Sequence, residues 1–283
     1  MHRRTLLLTA LCSPAPPVIA SFSILADMTA VIGGDAVSVT ALVGADRDPH
    51  EYQPHPAQLI ELRNARALVE NGLGLEGWMS RMARAAGFKG QRITASAGVT
   101  PRTMLDGKSR VTDPHAWQDP RNGVLYARAI AAGLARIAPA ADIQSRAAAY
   151  IRDIEVTDAW LADIFAAIPA SRRKIITSHD AFGYFAVRYG IEMHGIQGIS
   201  TDAEPTPRDI VRLVEMIRRE RIRAVFVETM TSPRFAEVLA REAGAVMGGR
   251  VYSDALSPAD GPAPSYLAMF RHNATQFAKA MRA

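Results

Sequence analysis

A single cysteine, Cys12, stands in a chain of 283 residues. That excludes an intramolecular disulfide and every centre built on several thiolates. Long apolar runs are also missing. The early run over residues 5–12 is far shorter than the roughly 20 residues a membrane-spanning helix needs, and no later stretch approaches that length without charges. Charge of one sign is barely in excess, with 33 basic against 28 acidic side chains, so no nucleic-acid partner is expected. Low-complexity tracts and solenoid-length repeats are absent too. What is present is ordinary for a folded protein: 48% apolar and 22% charged residues exclude a disordered or fibrous chain. The length gives room for two domains.

The N-terminus pairs a basic segment, Met1-His2-Arg3-Arg4, with the apolar run 5–12 and then Val18-Ile19-Ala20. This pattern predicts a cleavable export leader over residues 1–20, with the mature chain starting near Ser21. Leu11 precedes Cys12 where a lipid-anchored cysteine usually follows a small residue, so a soluble exported protein is expected.

From Ser21 onward, short β-branched runs alternate with segments of helical period, the mark of parallel α/β layers. Strands are expected near 22–25, 37–43, 67–70 and 92–95, then near 174–178, 191–197, 224–228 and 246–252. The even split predicts two similar lobes, 21–139 and 169–283, each a parallel sheet of about four strands flanked by helices. Residues 140–168, bounded by Pro139 and Pro169, read as one long rigid helix joining them, ~40 Å at 1.5 Å per residue. Arg212, Arg218, Arg219, Arg221 and Arg223 on the expected helix 208–223 read as a solvated face.

One tripeptide occurs twice, as Asp48-Pro49-His50 and Asp113-Pro114-His115, each after a strand candidate. Proline stiffens the backbone on both sides of itself, so each imidazole is presented by a rigid loop. Two copies, both where ligands gather beyond strand ends in α/β sheets, favour a binding role over exposed turns. His179 lies in Thr177-Ser178-His179-Asp180, where a strand is expected to pass into a helix whose positive end would keep the imidazole neutral. Asp254 follows the last strand candidate. Each lobe thus offers two groups to a shared cleft. Three imidazoles and one carboxylate form a closed four-coordinate set suited to Zn²⁺, and oxygen ligands in place of imidazole would shift the preference toward Mn²⁺. Asp48, Asp113 and Asp180 are candidates for holding these ligands in place.

The segments Ser21-Phe22-Ser23-Ile24-Leu25-Ala26-Asp27-Met28, Asp48-Pro49-His50-Glu51-Tyr52, Asn71-Gly72-Leu73-Gly74-Leu75-Glu76-Gly77-Trp78, Asp113-Pro114-His115-Ala116-Trp117, Ser178-His179-Asp180-Ala181-Phe182-Gly183 and Tyr252-Ser253-Asp254-Ala255-Leu256 resemble metal-binding ABC transporter solute-binding proteins of the ZnuA/TroA type. The resemblance spans nearly all of the chain after the leader. It implies a monomeric periplasmic receptor that hands its metal to a membrane permease driven by an ATPase, with a periplasmic metallochaperone as a further candidate partner. By motif, His50, His115, His179 and Asp254 match the metal ligands. Relatives with Glu at the position of His179 tend to be manganese receptors, so histidine there implies zinc. The His-rich loop that many zinc members carry is absent, since residues 103–112 contain no histidine.

Two other classes compete. Gly72-Leu73-Gly74-Leu75-Glu76-Gly77 fits a dinucleotide-binding fingerprint, but the next strand candidate ends in Ser96-Ala97-Gly98, without the acid that would hold a ribose. A zinc hydrolase needs an open coordination position, which Asp254 closes, and Glu228 is its candidate general base. His55, His194 and His272 are assigned no role. Tyr52, Trp78, Trp117, Phe182 and Tyr184 are expected to form an apolar wall around the ion.

Overall fold

The computed structural model describes residues 14–106, 109–201 and 204–283; the basic and apolar segments of the expected leader, residues 1–12, lie outside them. The first sheet contains β1 (Pro17–Phe22), β2 (Ser38–Val43), β3 (Ala67–Glu70) and β4 (Gln91–Thr94), in the order β2-β1-β3-β4. Its helices are α1 (Ser23–Gly33), α2 (Pro56–Asn64) and α3 (Met79–Ala86). An antiparallel ribbon of β5 (Thr103–Asp106) and β6 (Ser109–Thr112) follows, then α4 (Pro120–Ile137) and α5 (Ile143–Ala166). The second sheet contains β7 (Lys174–Thr177), β8 (Glu192–Gly195), β9 (Ala224–Glu228) and β10 (Val246–Val251), in the order β10-β9-β7-β8. Helices α6 (Gly183–Tyr189), α7 (Pro207–Glu220), α8 (Arg234–Ala243) and α9 (Tyr266–Arg282) flank it.

All pairings within the two larger sheets are parallel. In each, the first strand lies between the second and third, and the fourth lies outside the third. The two lobes therefore share one topology, and the loops at the strand C-termini of both sheets become the walls of a cleft.

The expected leader boundary does not fit this fold. β1 begins at Pro17, and Val18, Ile19, Ala20 and Phe22 are buried in the middle of the first sheet. A cut after Ala20 would strip that sheet of an inner strand. The apolar run Val18-Ile19-Ala20 resembles the end of a leader because a strand buried on both faces is continuously apolar. The strand expected at 22–25 is correspondingly displaced: Ser23 opens α1, whose buried Ile24, Leu25, Met28 and Ile32 follow a helical period.

The joining helix is α5, slightly shorter than the expected 140–168 span. Ile143, Ala147, Tyr150, Ile154, Leu161 and Phe165 form its buried stripe, against α1, α4, α6 and α9. One contiguous apolar core runs from Val18 in β1 through α5 to Phe182, Phe270 and Phe277 of the second lobe. Close packing of that kind resists large relative motion of the lobes. The arginine-rich α7 carries a solvated, partly paired face: Arg212 contacts Asp209 at 3.2 Å and Arg219 contacts Glu220 at 2.8 Å.

Candidate metal centre

Each Asp-Pro-His tripeptide folds into the same small turn. The Asp48 carboxylate accepts the His50 amide at 2.8 Å, and Asp113 accepts the His115 amide at 3.0 Å. A short acceptor two residues before the amide it binds, with proline fixing the link between them, sets the direction of the imidazole. His179 follows β7, with its amide donating to Glu228 at the end of β9, 2.8 Å away. Asp254 follows β10. Its loop is clamped to α9 by Asn273, which accepts from Tyr252 N and donates to Tyr252 O. From the opposite lobe, Trp117 and Gln118 both donate to Ser253 O, at 2.9 and 2.7 Å.

These loops bring the four expected side chains together. Nε2 of His50 lies 3.2 Å from His115 Nε2 and 3.2 Å from Asp254 Oδ2. Nε2 of His179 is 3.4 Å from His115 Nε2 and 3.1 Å from Asp254 Oδ2, and His115 Nε2 is 3.7 Å from Asp254 Oδ2. Donors about 2.0–2.1 Å from a central ion sit about 3.3 Å apart at the corners of a tetrahedron, so this spacing fits a four-coordinate metal. His115, His179 and Asp254 are buried, and His50 alone borders a surface depression of about 500 Å³ lined also by Leu73, Pro114 and Ser200. Asp254 Oδ1 is buried without a hydrogen-bond partner among the described residues, an arrangement that costs free energy unless a cation is bound nearby.

The charge balance points the same way. Asp113, Glu228 and Asp254 are the fully buried acids around the three imidazoles, and Arg102, paired with Asp113 at 2.5 Å, is the cation beside them. Asp180, which interacts with the charges of Asp113, His115 and His179, adds to this negative excess, and a divalent ion offsets part of it. Without an ion, protons offset it instead. Burial opposes charge on His115, but the Asp254 and Asp113 carboxylates outweigh it and push its pKa up to about 9. Burial likewise opposes charge on His179, and Glu228 and Asp254 outweigh it, raising its pKa well above the usual imidazole range. The two histidines in turn hold Asp254 well below the usual carboxylate range despite its burial.

Neutrality of His179 through a helix end is thus corrected: α6 starts only at Gly183, and the carboxylates dominate. Of the three expected supporting aspartates, Asp113 meets the His115 ring, with Oδ1 2.9 Å from Nδ1. Asp48 accepts from the His50 amide and, across the cleft, from the Thr201 hydroxyl. No hydrogen bond of the Asp180 side chain joins it to the four. Glu228 supports His179, with Oε2 2.6 Å from Nδ1, while also accepting the Ser253 hydroxyl. It has no free oxygen for the general-base role. Trp78 donates to Pro49 O at 2.9 Å and packs on Tyr52, and Trp117 packs on His115. Sequence reasoning missed Arg102 and Gln118, neither of which belongs to a local pattern.

The glycine turn is already filled. Gly72, Leu73 and Gly74 adopt positive φ, and the half-buried Glu76 carboxylate accepts from the Asn71 and Gly72 amides and the Ser21 hydroxyl. Those amides would have to face a pyrophosphate in a dinucleotide site.

The family model for zinc-uptake complex component A, periplasmic (ZnuA), matches residues 18–280. The chain belongs to this family. It is a metal-binding solute receptor of an ABC importer, not an enzyme. The manganese-binding lipoprotein MntA of Halalkalibacterium halodurans is 33% identical over 263 residues, covering 92% of this chain and 86% of that protein. The iron-binding protein YfeA of Yersinia pestis is 31% identical over 265 residues, 93% and 85% of the two chains. Among solved structures, the periplasmic zinc-binding protein TroA from Treponema pallidum matches with a TM-score of 0.89 at 28% identity, over 94% of this chain and 99% of that one. The manganese-bound periplasmic metal-binding protein from Candidatus Liberibacter asiaticus matches with a TM-score of 0.84 at 30% identity, over the same shares. The match to the family model begins inside β1, in keeping with that strand being part of the domain.

Proposed function

We propose that this receptor captures zinc between its lobes through His50, His115, His179 and Asp254 and passes it to the membrane permease of an ATP-driven importer. The observation that carries the reading is the donor spacing of 3.1 to 3.7 Å, near the edge of a tetrahedron around Zn²⁺. Three nitrogen donors and one oxygen suit zinc better than manganese, which favours oxygen-rich, higher-coordinate sites. The protein acts outside the cytoplasm as a monomer, and its export leader ends upstream of Pro17. A periplasmic metallochaperone is a candidate source of the ion.

Manganese or iron is the second reading. It is favoured by the named cargo of MntA and YfeA and by the unpartnered Asp254 Oδ1, a free oxygen with which the carboxylate can expand the coordination. Competition titration of purified, metal-stripped protein with Zn²⁺ and Mn²⁺ separates the two. Zinc binding tighter by several orders of magnitude is expected, and equal or tighter manganese binding would replace the zinc reading. His115→Ala should weaken zinc binding by orders of magnitude; unchanged affinity would remove the ligand assignment.

A further inference from the structure

The ribbon β5–β6 joins at its open end two residues that lie far from random positions. Asp113 N donates to Arg102 O at 2.9 Å, extending the ladder that pairs Thr103 with Thr112. The ribbon therefore sets Arg102 directly opposite Asp113, and the Arg102 guanidinium meets Asp113 Oδ2 at 2.5 Å. The other oxygen of the same carboxylate holds His115 Nδ1 and the His115 amide. Arg102 touches no ligand, but it fixes the group that orients one.

The remaining walls of the arginine's slot come from the other lobe. The guanidinium carbon lies 5.7 Å from the centre of the Tyr184 ring. The Tyr184 hydroxyl accepts from Arg102 N at 2.8 Å and donates to Asp113 O at 3.2 Å, so it ties both strands together at the open end of the ribbon. At Gly183 a Cβ would fall 1.7 Å from Arg102 Nη1 and 2.9 Å from Asp113 Oδ2. Only hydrogen fits there. Gly183 has no positive φ that would demand glycine, so the need for a small residue comes from the guanidinium lying against its backbone.

We infer that Arg102 is a positioning residue for the metal centre: delivered by the β5–β6 ribbon and held by Gly183 and Tyr184 across the lobe seam, it pins Asp113 and thereby His115. The inference rests on the reading of His115 as a ligand. It gives the ribbon a task in building the site. It also makes one ligand of the first lobe depend on contact with the second.

The test compares Arg102→Ala, Arg102→Lys and Gly183→Ala with the parent chain and with His115→Ala, after thermal unfolding of each metal-free form has shown which are folded. Zinc affinity is read by competition titration, and ligand geometry by the visible absorption of the Co²⁺ form. Arg102→Ala and Gly183→Ala are expected to weaken zinc binding about 10- to 100-fold and to shift the Co²⁺ bands. Arg102→Lys, which keeps the charge and loses the planar fork, recovers part of that loss. Affinity within about twofold of the parent, with unchanged Co²⁺ bands, in any folded Arg102→Ala or Gly183→Ala protein overturns the inference while leaving the centre intact. Retained affinity in His115→Ala removes the ligand reading itself, and the inference falls with it.

Discussion

The two lobes share a sheet topology and differ in how they hold their ligands. In the second lobe, Glu228 terminates an inner strand, is fully enclosed, and contacts both the ring and the amide of His179. No cation is paired with it among the described residues. In the first lobe, Asp113 sits beyond a two-stranded ribbon and shares its charge with Arg102, whose side chain is 33% exposed. The same chemistry, a carboxylate behind an imidazole, is thus built from the sheet on one side and from a loop plus a cross-lobe contact on the other. A carboxylate with no counter-cation acts at full strength on its histidine. Burial opposes charge on His179, and Glu228 leads the carboxylates that outweigh it.

The largest effect should come from breaking the shared topology. A chain that starts at Ser21 lacks Pro17 to Ala20 of β1, and so loses Val18, Ile19 and Ala20 from the first core. The first lobe is expected not to fold, with loss of circular-dichroism signal and early elution on size exclusion. A native-like protein starting at Ser21 would show that β1 is dispensable. Next in size is the contrast between supports: Glu228→Gln should weaken zinc binding about 100-fold and Asp113→Asn about 10-fold. Equal losses in competition titration would dissolve the distinction between the lobes.

That distinction was only partly legible in the sequence. The repeated Asp-Pro-His turns announce themselves because proline and a short acceptor encode a local geometry, and His179 and Asp254 stand just past strong strand signals. The two-lobe α/β plan follows from the alternating periods. The start of β1 was hidden because Val18-Ile19-Ala20 satisfies both a leader and a buried strand, and periodicity cannot separate them. Arg102 was hidden for a different reason. Its partner is fixed by ribbon pairing, and its slot by Gly183 and Tyr184 about eighty positions away (82 between Arg102 and Tyr184), which no local pattern reports. The ribbon itself was overlooked, since four-residue strands of mixed polar and apolar residues carry little signal.

The third expected effect is in protons. Below about pH 8 His115 carries an added proton in the metal-free centre, since its pKa is pushed up to about 9, and His179 is shifted in the same direction. A metal needs both nitrogens deprotonated, so zinc binding should release protons from both lobes. Between pH 6 and 8 affinity then rises with pH, by at least about 10-fold per unit. Calorimetry in buffers of different ionisation enthalpy measures the release. In Glu228→Gln it should fall, since His179 loses one of the two carboxylates that raise its pKa. Release that does not change with this substitution would separate the protons from the two supports.

The smallest effect on binding and a clear one on stability should come from the seam behind the cleft, where the lobes meet without any ligand. Asp27 of α1 accepts from Tyr266 N at the start of α9, 2.8 Å away. Burial raises its pKa from 3.8 to about 6, against the lowering effect of that hydrogen bond. Between pH 4 and 6 the folded chain therefore binds this proton more tightly than the unfolded chain, and stability falls as pH rises through that window. At pH 7 the cost reaches up to about 3 kcal/mol, from about two pKa units at ~1.36 kcal/mol each. Asn at this position can still accept from Tyr266 N and never ionises. Asp27→Asn should accordingly melt several degrees higher than the parent at pH 7, match it below pH 4, and bind zinc within about twofold of it. An identical melting difference at both pH values would mean that ionisation of Asp27 is not what the seam tolerates.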